Sequence, residues 1–442
     1  MMRNHALTTV PRRSFLVGGA ALAAAALAAC SSPQGVGSGD DATPAQGGGI
    51  EGERTGKELL FYLSAGHDYQ PYLDVIADFE KEHSITVTIQ TFQWSDLQQK
   101  LTADFLSGQT PDLVEEGGSW WSTRWGTDGN IMALNDFIAK EEDGFLDDFV
   151  ESGLALRQQD GTTYGIPLHV TMGGLVFANQ DMLDAAGVAM PTTWDEFKTA
   201  AKAIQDSGVE YGCALNNDSS YGRPWYLQND VEWSADSDEP IGPKGKLVEA
   251  LTFQKDLIYT DGLAPVPVAS NEYSAPRKVF TTGRAGLIIT GPWDISPIKT
   301  ENPDFPLTIG MPLAGPGGQR TTIAGSGLMI PAKSQNAELA WKLITALTAT
   351  KVQEQITATV GMACSRKSWA ESATVKNDPN LSVVAAAREV ATAADRPFWT
   401  STNAAKLGEA EKVMYEDVIL NGADPAAAVD TFTSTAKPLL QG

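Results

Sequence analysis

Cationic side chains, histidine and cysteine are all scarce in this chain. Lys and Arg together number 32 against 55 Asp and Glu in 442 residues, for a formal charge of −23. Phosphate backbones are held by clustered Lys and Arg, so nucleic-acid binding is disfavoured. Four histidines (His5, His67, His83 and His169) are scattered along the sequence and only three cysteines accompany them. That supply argues against a zinc site, and no metal or cofactor is expected. A Gly-x-Ser-x-Gly nucleophile elbow is missing, since Gly325-Ser326-Gly327 falls short of it. No repeat of fixed period is visible. The apolar fraction of 42% is ordinary for a folded soluble body, which sets aside disorder and coiled coil.

The first thirty residues read as an address. Arg3, Arg12 and Arg13 precede an apolar run from Phe15 to Ala29. That run is shorter than the roughly 20 residues a membrane span takes, and it has the layout of an export signal. Arg12-Arg13-Ser14-Phe15-Leu16 resembles the twin-arginine motif, and Leu27-Ala28-Ala29-Cys30 resembles a bacterial lipobox. Residues 1–29 are therefore expected to be a signal peptide whose removal leaves Cys30 as a lipidated first residue. Residues 30–56 are rich in Ser, Gly, Pro and Ala and hold no aromatic residue, so they read as a flexible tether. The expected location is extracytoplasmic, with the body anchored to the cell membrane by lipid. Cys213 and Cys364 remain, as a disulfide or as two buried thiols.

From residue 57 onward, strand and helix patterns alternate. Glu58–Leu63 is a short apolar run; Tyr72, Val75, Ile76 and Phe79 then follow helical spacing. Ile85, Val87 and Ile89 alternate with polar residues, Leu97, Leu101 and Phe105 mark a second helix, and Pro111–Val114 restarts a strand. This order predicts a mainly parallel sheet with helices on both faces, and ligands then sit beyond the carboxyl ends of its strands. Those ends are Ser64–Asp68 and Glu115–Trp121. A second α/β unit follows, with strands at Leu175–Ala178, Tyr211–Leu215 and Ala285–Thr290. Its helices are read at Gln180–Ala186, at Pro191–Phe197 with Thr193 and Glu196 at capping-box spacing, and near 246–261.

Eight stretches, in order over residues 57–442, resemble the family 1 extracellular solute-binding proteins of bacterial ABC importers, the maltose-binding-protein-like group. They are Phe79–Glu82, Gly108–Leu113, Tyr164–Pro167, Asn179–Gly187, Pro191–Phe197, Gly291-Pro292-Trp293, Gly325–Gly327 and Asp424–Val429. The resemblance implies an α/β, two-lobe periplasmic-binding-protein-like fold (type II), with a ligand cleft between lobes joined by crossover segments. Crossings are expected near Pro167, near Gly291 and near Pro331–Thr350. The lobes would be 57–166 plus about 292–330, and 167–291 plus about 331–442. The implied activity is capture of a sugar or oligosaccharide and delivery to a membrane permease, by a protein that works as a monomer and is not an enzyme.

Sugar rings have apolar faces and hydroxyl rims, so a cleft for them needs aromatic plates and polar side chains at the edge. Trp293, after a strand and a Pro-fixed turn, is the leading stacking candidate, with hinge packing as its alternative. Glu116 is read as a hydroxyl acceptor or a solvated loop acid, and one of Trp120 and Trp121 is expected to face the cleft. His67 and Asp68 follow the first strand; Asp68 could equally cap a helix. Tyr164 and His169 flank the first crossing, His169 either as a ligand contact or as a structural histidine. Tyr221, Trp225 and Trp399 are further aromatic candidates. Arg366 could bind a hydroxyl or an acidic sugar, or form a surface salt bridge. Two rivals stay open on sequence alone. One is a binding protein for a polyamine, peptide or iron; the other is a tethered glycoside hydrolase, which would need a pair of carboxylates about 5–9.5 Å apart.

Overall fold

The computed structural model describes residues 56–117, 121–235, 237–269, 275–399 and 401–440. The export segment, Cys30, most of the tether and Trp120 lie outside the described residues. No helix among the described residues is long and apolar enough to cross a membrane.

Two sheets organise the body. The first has five strands in the order Thr86–Phe92, Glu58–Ser64, Leu113–Glu116, Gly327–Met329 and Ile166–Pro167. The first three run parallel, joined by the helices Gln70–His83 and Trp94–Ser107. Each helix ends where the chain turns left-handed, at Ser84 and Gly108. Gly327–Met329 enters antiparallel between Leu113–Glu116 and Ile166–Pro167, so the sheet is mixed rather than all parallel. Phe61, Leu113, Ile166 and Leu328 build one core with Tyr72, Phe79, Trp341 and Ile344.

The second sheet is ordered Leu307–Gly310, Leu175–Asn179, Ala285–Thr290, Tyr211–Ala214. Leu175–Asn179 runs antiparallel to both neighbours, and Ala285–Thr290 is parallel to Tyr211–Ala214. Its buried Val176 and Leu287 share a core with Phe197 and Trp225, on the helices Trp194–Asp206 and Arg223–Leu227, and with the helices Lys244–Tyr259, Ala404–Ile419 and Pro425–Leu440. The Thr193 hydroxyl accepts from the Glu196 N–H, the expected N-cap, although the Glu196 carboxylate reaches Thr192 rather than closing the box on Thr193.

Strand pairing corrects the expected division of the chain after Gly291. Residues 292–330 were expected with the first sheet, yet Leu307–Gly310 pairs in the second. Residues after 331 were expected with the second, yet the helices Ala337–Leu347 and Thr350–Val360 pack on Gln70–His83 over the first. The physical reason is the register of Gly327–Met329 on Leu113–Glu116, which carries the following chain back to the first core. The crossings therefore fall at 167–171, 324–327 and about 361–367, not near Gly291 or Pro331–Thr350. Cys213 and Cys364 are free, buried thiols whose pKa burial pushes up to about 12.

Candidate functional site

The three crossings touch one another. Leu168 and His169 N–H groups both donate to Ser326 O, and the Ser326 N–H donates to His169 O. His169 also bridges to Cys364 on the third crossing. Gly325 makes this approach possible: its φ is +123°, and a Cβ there would stand 2.1 Å from His169 O.

A polar cluster grows from this junction. Glu115 is buried and accepts from the Ser64 N–H (3.0 Å), from the Ser326 hydroxyl (2.5 Å) and from His67 Nδ1 (2.7 Å). His169 Nδ1 lies 3.2 Å from Ser326 Oγ, and its Nε2 lies 2.8 Å from the Tyr72 hydroxyl, to which Gln353 donates. Burial alone would raise the Glu115 pKa, but the attraction and hydrogen bond of His67 hold it below the usual carboxylate range. Burial works against the His67 cation, yet the Glu115 charge raises its pKa overall. His169 is pushed down to about 3 by burial and by His67, and so stays neutral.

Beside this cluster lie two adjoining cavities of about 280 and 240 Å³. Gly117, Ser220, Tyr221, Trp293, Ala324 and Gly325 wall both. Trp94 and His67 come from the first-sheet side; Tyr221 and Trp293 come from loops of the second. The Trp293 indole N–H donates to the Tyr221 hydroxyl at 3.2 Å, and the two rings meet at 86°, forming an aromatic corner. Gly291-Pro292-Trp293 has a mechanical logic: a Cβ on Gly291 would lie 2.4 Å from the Trp293 ring, so only glycine lets the indole fold back. Asp294, held by Thr290 and Arg277, anchors the same turn from beneath.

At the far end, Arg223 and Asp395 line the larger cavity. Arg223 makes a two-pronged contact with buried Glu411 (3.0 and 2.7 Å) and pairs with Asp395. Burial, reinforced by Glu411 against the pull of Arg223, raises the Asp395 pKa to about 6. An acid raised in the folded state binds its proton more tightly there than in the unfolded chain, so its contribution to stability falls as pH rises through about 6. The stability of the protein minus that of Asp395→Asn, whose amide mimics the neutral acid, is expected to fall by on the order of 2 kcal/mol from pH 4 to 7, measured by denaturant unfolding. A pH-independent difference would refute this assignment.

The structure brings His67, His169, Tyr221 and Trp293 to the cavity walls and places the other described candidates elsewhere. Glu116 is fully buried against Arg157 (2.6 Å) and lines neither cavity, because strand neighbours point to opposite sides of the sheet and Glu115 takes the cluster side. Trp121 packs behind Trp94 and against Trp125. Tyr164 lies over Gly126 beside that group. Asp68 is exposed and caps nothing: the helix starts after Tyr69 without a side-chain cap. Trp225 is core, packed on Trp194, Phe197 and Phe253. Arg366 is neither a hydroxyl contact nor a surface ion pair. It is buried, donates twice to Thr348 O and lies 3.6 Å over the Phe149 ring, capping the helix Ala337–Leu347. Trp399 ends the short helix Arg396–Trp399, and its side chain is outside the described set, as is all of Trp120.

Trp94, Arg223, Asp395 and Thr322 were not singled out in the sequence. Trp94 was within reach, since it stands just beyond the carboxyl end of the strand Thr86–Phe92, where ligands gather. Arg223 and Asp395 carry no local signal, because their meaning comes only from each other.

The profile of the bacterial extracellular solute-binding proteins matches residues 66–354. A Brucella abortus binding protein is 31% identical over 292 residues, covering 62% of this chain and 67% of its own. The galactooligosaccharide-binding protein of Bacillus subtilis is 25% identical over 378 residues, covering 82% of this chain and 85% of its own. In structure, the GacH receptor of Streptomyces glaucescens, solved free and with acarbose, superposes with a TM-score of 0.77 at 21% identity, covering 87% of this chain and 98% of that one. That likeness shows a shared two-lobe fold.

Proposed function

The chain belongs to the bacterial extracellular solute-binding proteins, a non-enzymatic class of transport component, and from that premise we propose that it captures a neutral sugar or oligosaccharide in the cavity pair and hands it to an ABC importer. The observation that carries this reading is the aromatic corner of Trp293 and Tyr221 facing Trp94 and His67 across one cavity. Flat faces cover the apolar side of a sugar ring with few rotors to immobilise, while His67, Asp395, Arg223 and Thr322 supply donors and acceptors for its hydroxyls. The galactooligosaccharide-binding relative supports the same ligand class.

Capture and delivery form one mechanism. Contacts from the first-sheet side and the second-sheet side are made together only when the lobes are closed, so ligand shifts the population toward that state by its differential affinity. The closed form then docks on a membrane permease. Lipid on Cys30, with residues 30–56 as a leash, would keep the body near that permease and raise its effective concentration. The acidic chain also suits a polyamine, but the aromatic wall favours a sugar.

A thermal-unfolding panel of mono- and oligosaccharides, polyols, polyamines and peptides tests the reading. Ligand at 1,000 times its dissociation constant adds about 4 kcal/mol, which should raise the midpoint by several degrees. A rise with one sugar class, and intact sugar after long incubation, is the expected result. A rise with polyamine or peptide alone would keep the family and overturn the ligand; turnover of a glycan would overturn transport.

A further inference from the structure

We propose that His67, Glu115 and His169 form a site for one divalent transition-metal ion of the zinc class at the base of the cleft. Their donor atoms lie within 4.8 Å of one another. A tetrahedral zinc ion bound at 2.0–2.1 Å separates its ligand atoms by about 3.4 Å. The separations found bracket that value: His67 Nδ1 is 2.7 Å and His169 Nδ1 is 4.0 Å from Glu115 Oε1. Two imidazoles and one carboxylate suit zinc and its neighbours, whereas calcium and magnesium take oxygen ligands.

The surroundings are those a bound ion needs. The Ser64 N–H fixes Glu115 Oε2, and the Ser326 hydroxyl, 2.5 Å from Oε1, holds that oxygen beside the imidazoles in the way an outer partner holds a ligating carboxylate. His169 Nε2 meets the Tyr72 hydroxyl, which orients the ring so that Nδ1 faces Glu115. A hydroxyl there can either donate to Nε2 or accept from it, so the ring can take the tautomer that frees Nδ1 for the ion. His67 and His169 both line the smaller cavity, which gives the ion an entry path and leaves a fourth position for water or a ligand oxygen. Glu115 comes from the first sheet and His169 from a crossing segment, so the ion would tie the cleft wall to the junction of the crossings. This role adds to sugar capture and does not depend on it.

The test titrates untagged, chelator-stripped protein with zinc chloride by calorimetry, and with cobalt(II) by visible absorption. One zinc ion per chain and the intense cobalt bands of a tetrahedral site are expected. His67→Ala, which removes the more exposed of the two imidazoles (17% of its side chain against 2%), is expected to abolish the cobalt bands and weaken zinc binding by about 100-fold or more, with the unfolding midpoint as the folding control. His83→Ala, remote from the cluster, should leave both unchanged. Absence of zinc binding by the parent protein, a cobalt spectrum of the solvated ion, or tight binding that survives His67→Ala would each overturn the site. Both titrations are read without sugar, so failure of the sugar panel leaves their outcome distinct.

Discussion

Trp293→Ala is expected to weaken ligand binding by about 1–3 kcal/mol, roughly 5- to 150-fold, while the protein stays folded. The indole is half-buried, walls both cavities and donates its N–H to Tyr221. Removing it takes away the larger plate of the corner and one hydrogen-bond partner of the Tyr221 hydroxyl. Trp293→Phe retains a face but not the donor, and should fall between the two. Calorimetric affinity against the sugar found in the panel, with the unfolding midpoint as the folding control, measures this. A folded alanine variant with unchanged affinity would make Trp293 a packing residue of the Gly291 turn, which was its alternative in the sequence.

The second large effect concerns stability. Arg157→Leu should destabilise the protein by about 3–5 kcal/mol, because it removes the guanidinium that lies 2.6 Å from the buried Glu116 carboxylate. Both side chains are essentially inaccessible, at 1% and 0% exposure, so water cannot take over the lost partner. A drop in midpoint on the order of 10 °C is expected. Replacing both residues, Arg157→Leu with Glu116→Leu, should recover most of the loss, since paired burial of charge contributes little net stability. A single variant as stable as the parent would refute the buried pair. Glu116→Gln gives the functional counterpart: ligand affinity should hold within about 2- to 3-fold in the folded fraction. A larger loss would restore Glu116 as the hydroxyl acceptor read from the sequence.

Glu115 and Glu116 show where reading the sequence runs out. Both follow a strand at a place where ligands gather, and nothing local says which one turns to the cleft. Alternation settles it only once the sheet has faces: Glu115 meets His67 and Ser326, and Glu116 meets Arg157. Trp225 and Tyr221 pose the same difficulty, since an aromatic side chain satisfies a core as well as a cleft. The short helix Arg223–Leu227 turns Trp225 inward onto Phe253 and leaves Tyr221, just before it, at the cavity.

Local physical chemistry was enough for much of the architecture. Continuous apolar runs marked the strands Glu58–Ser64 and Ala285–Thr290, buried on both faces, and 3.6-residue periodicity marked helices such as Gln70–His83, because each element's burial is written in its own residues. The Thr193 cap and the Gly291-Pro292-Trp293 turn were legible for the same reason: their partners lie within a few positions. Tertiary structure alone decided which sheet receives Gly327–Met329, and with it where the chain crosses between lobes. It alone brought His67, Glu115 and His169 into one cluster, and Arg223, Asp395 and Glu411 into another. Periodicity says that a segment will form a strand; it does not name the partner. Loop-closure cost grows only slowly with chain length, so distant segments compete nearly on equal terms, and the core they fill together selects the pairing.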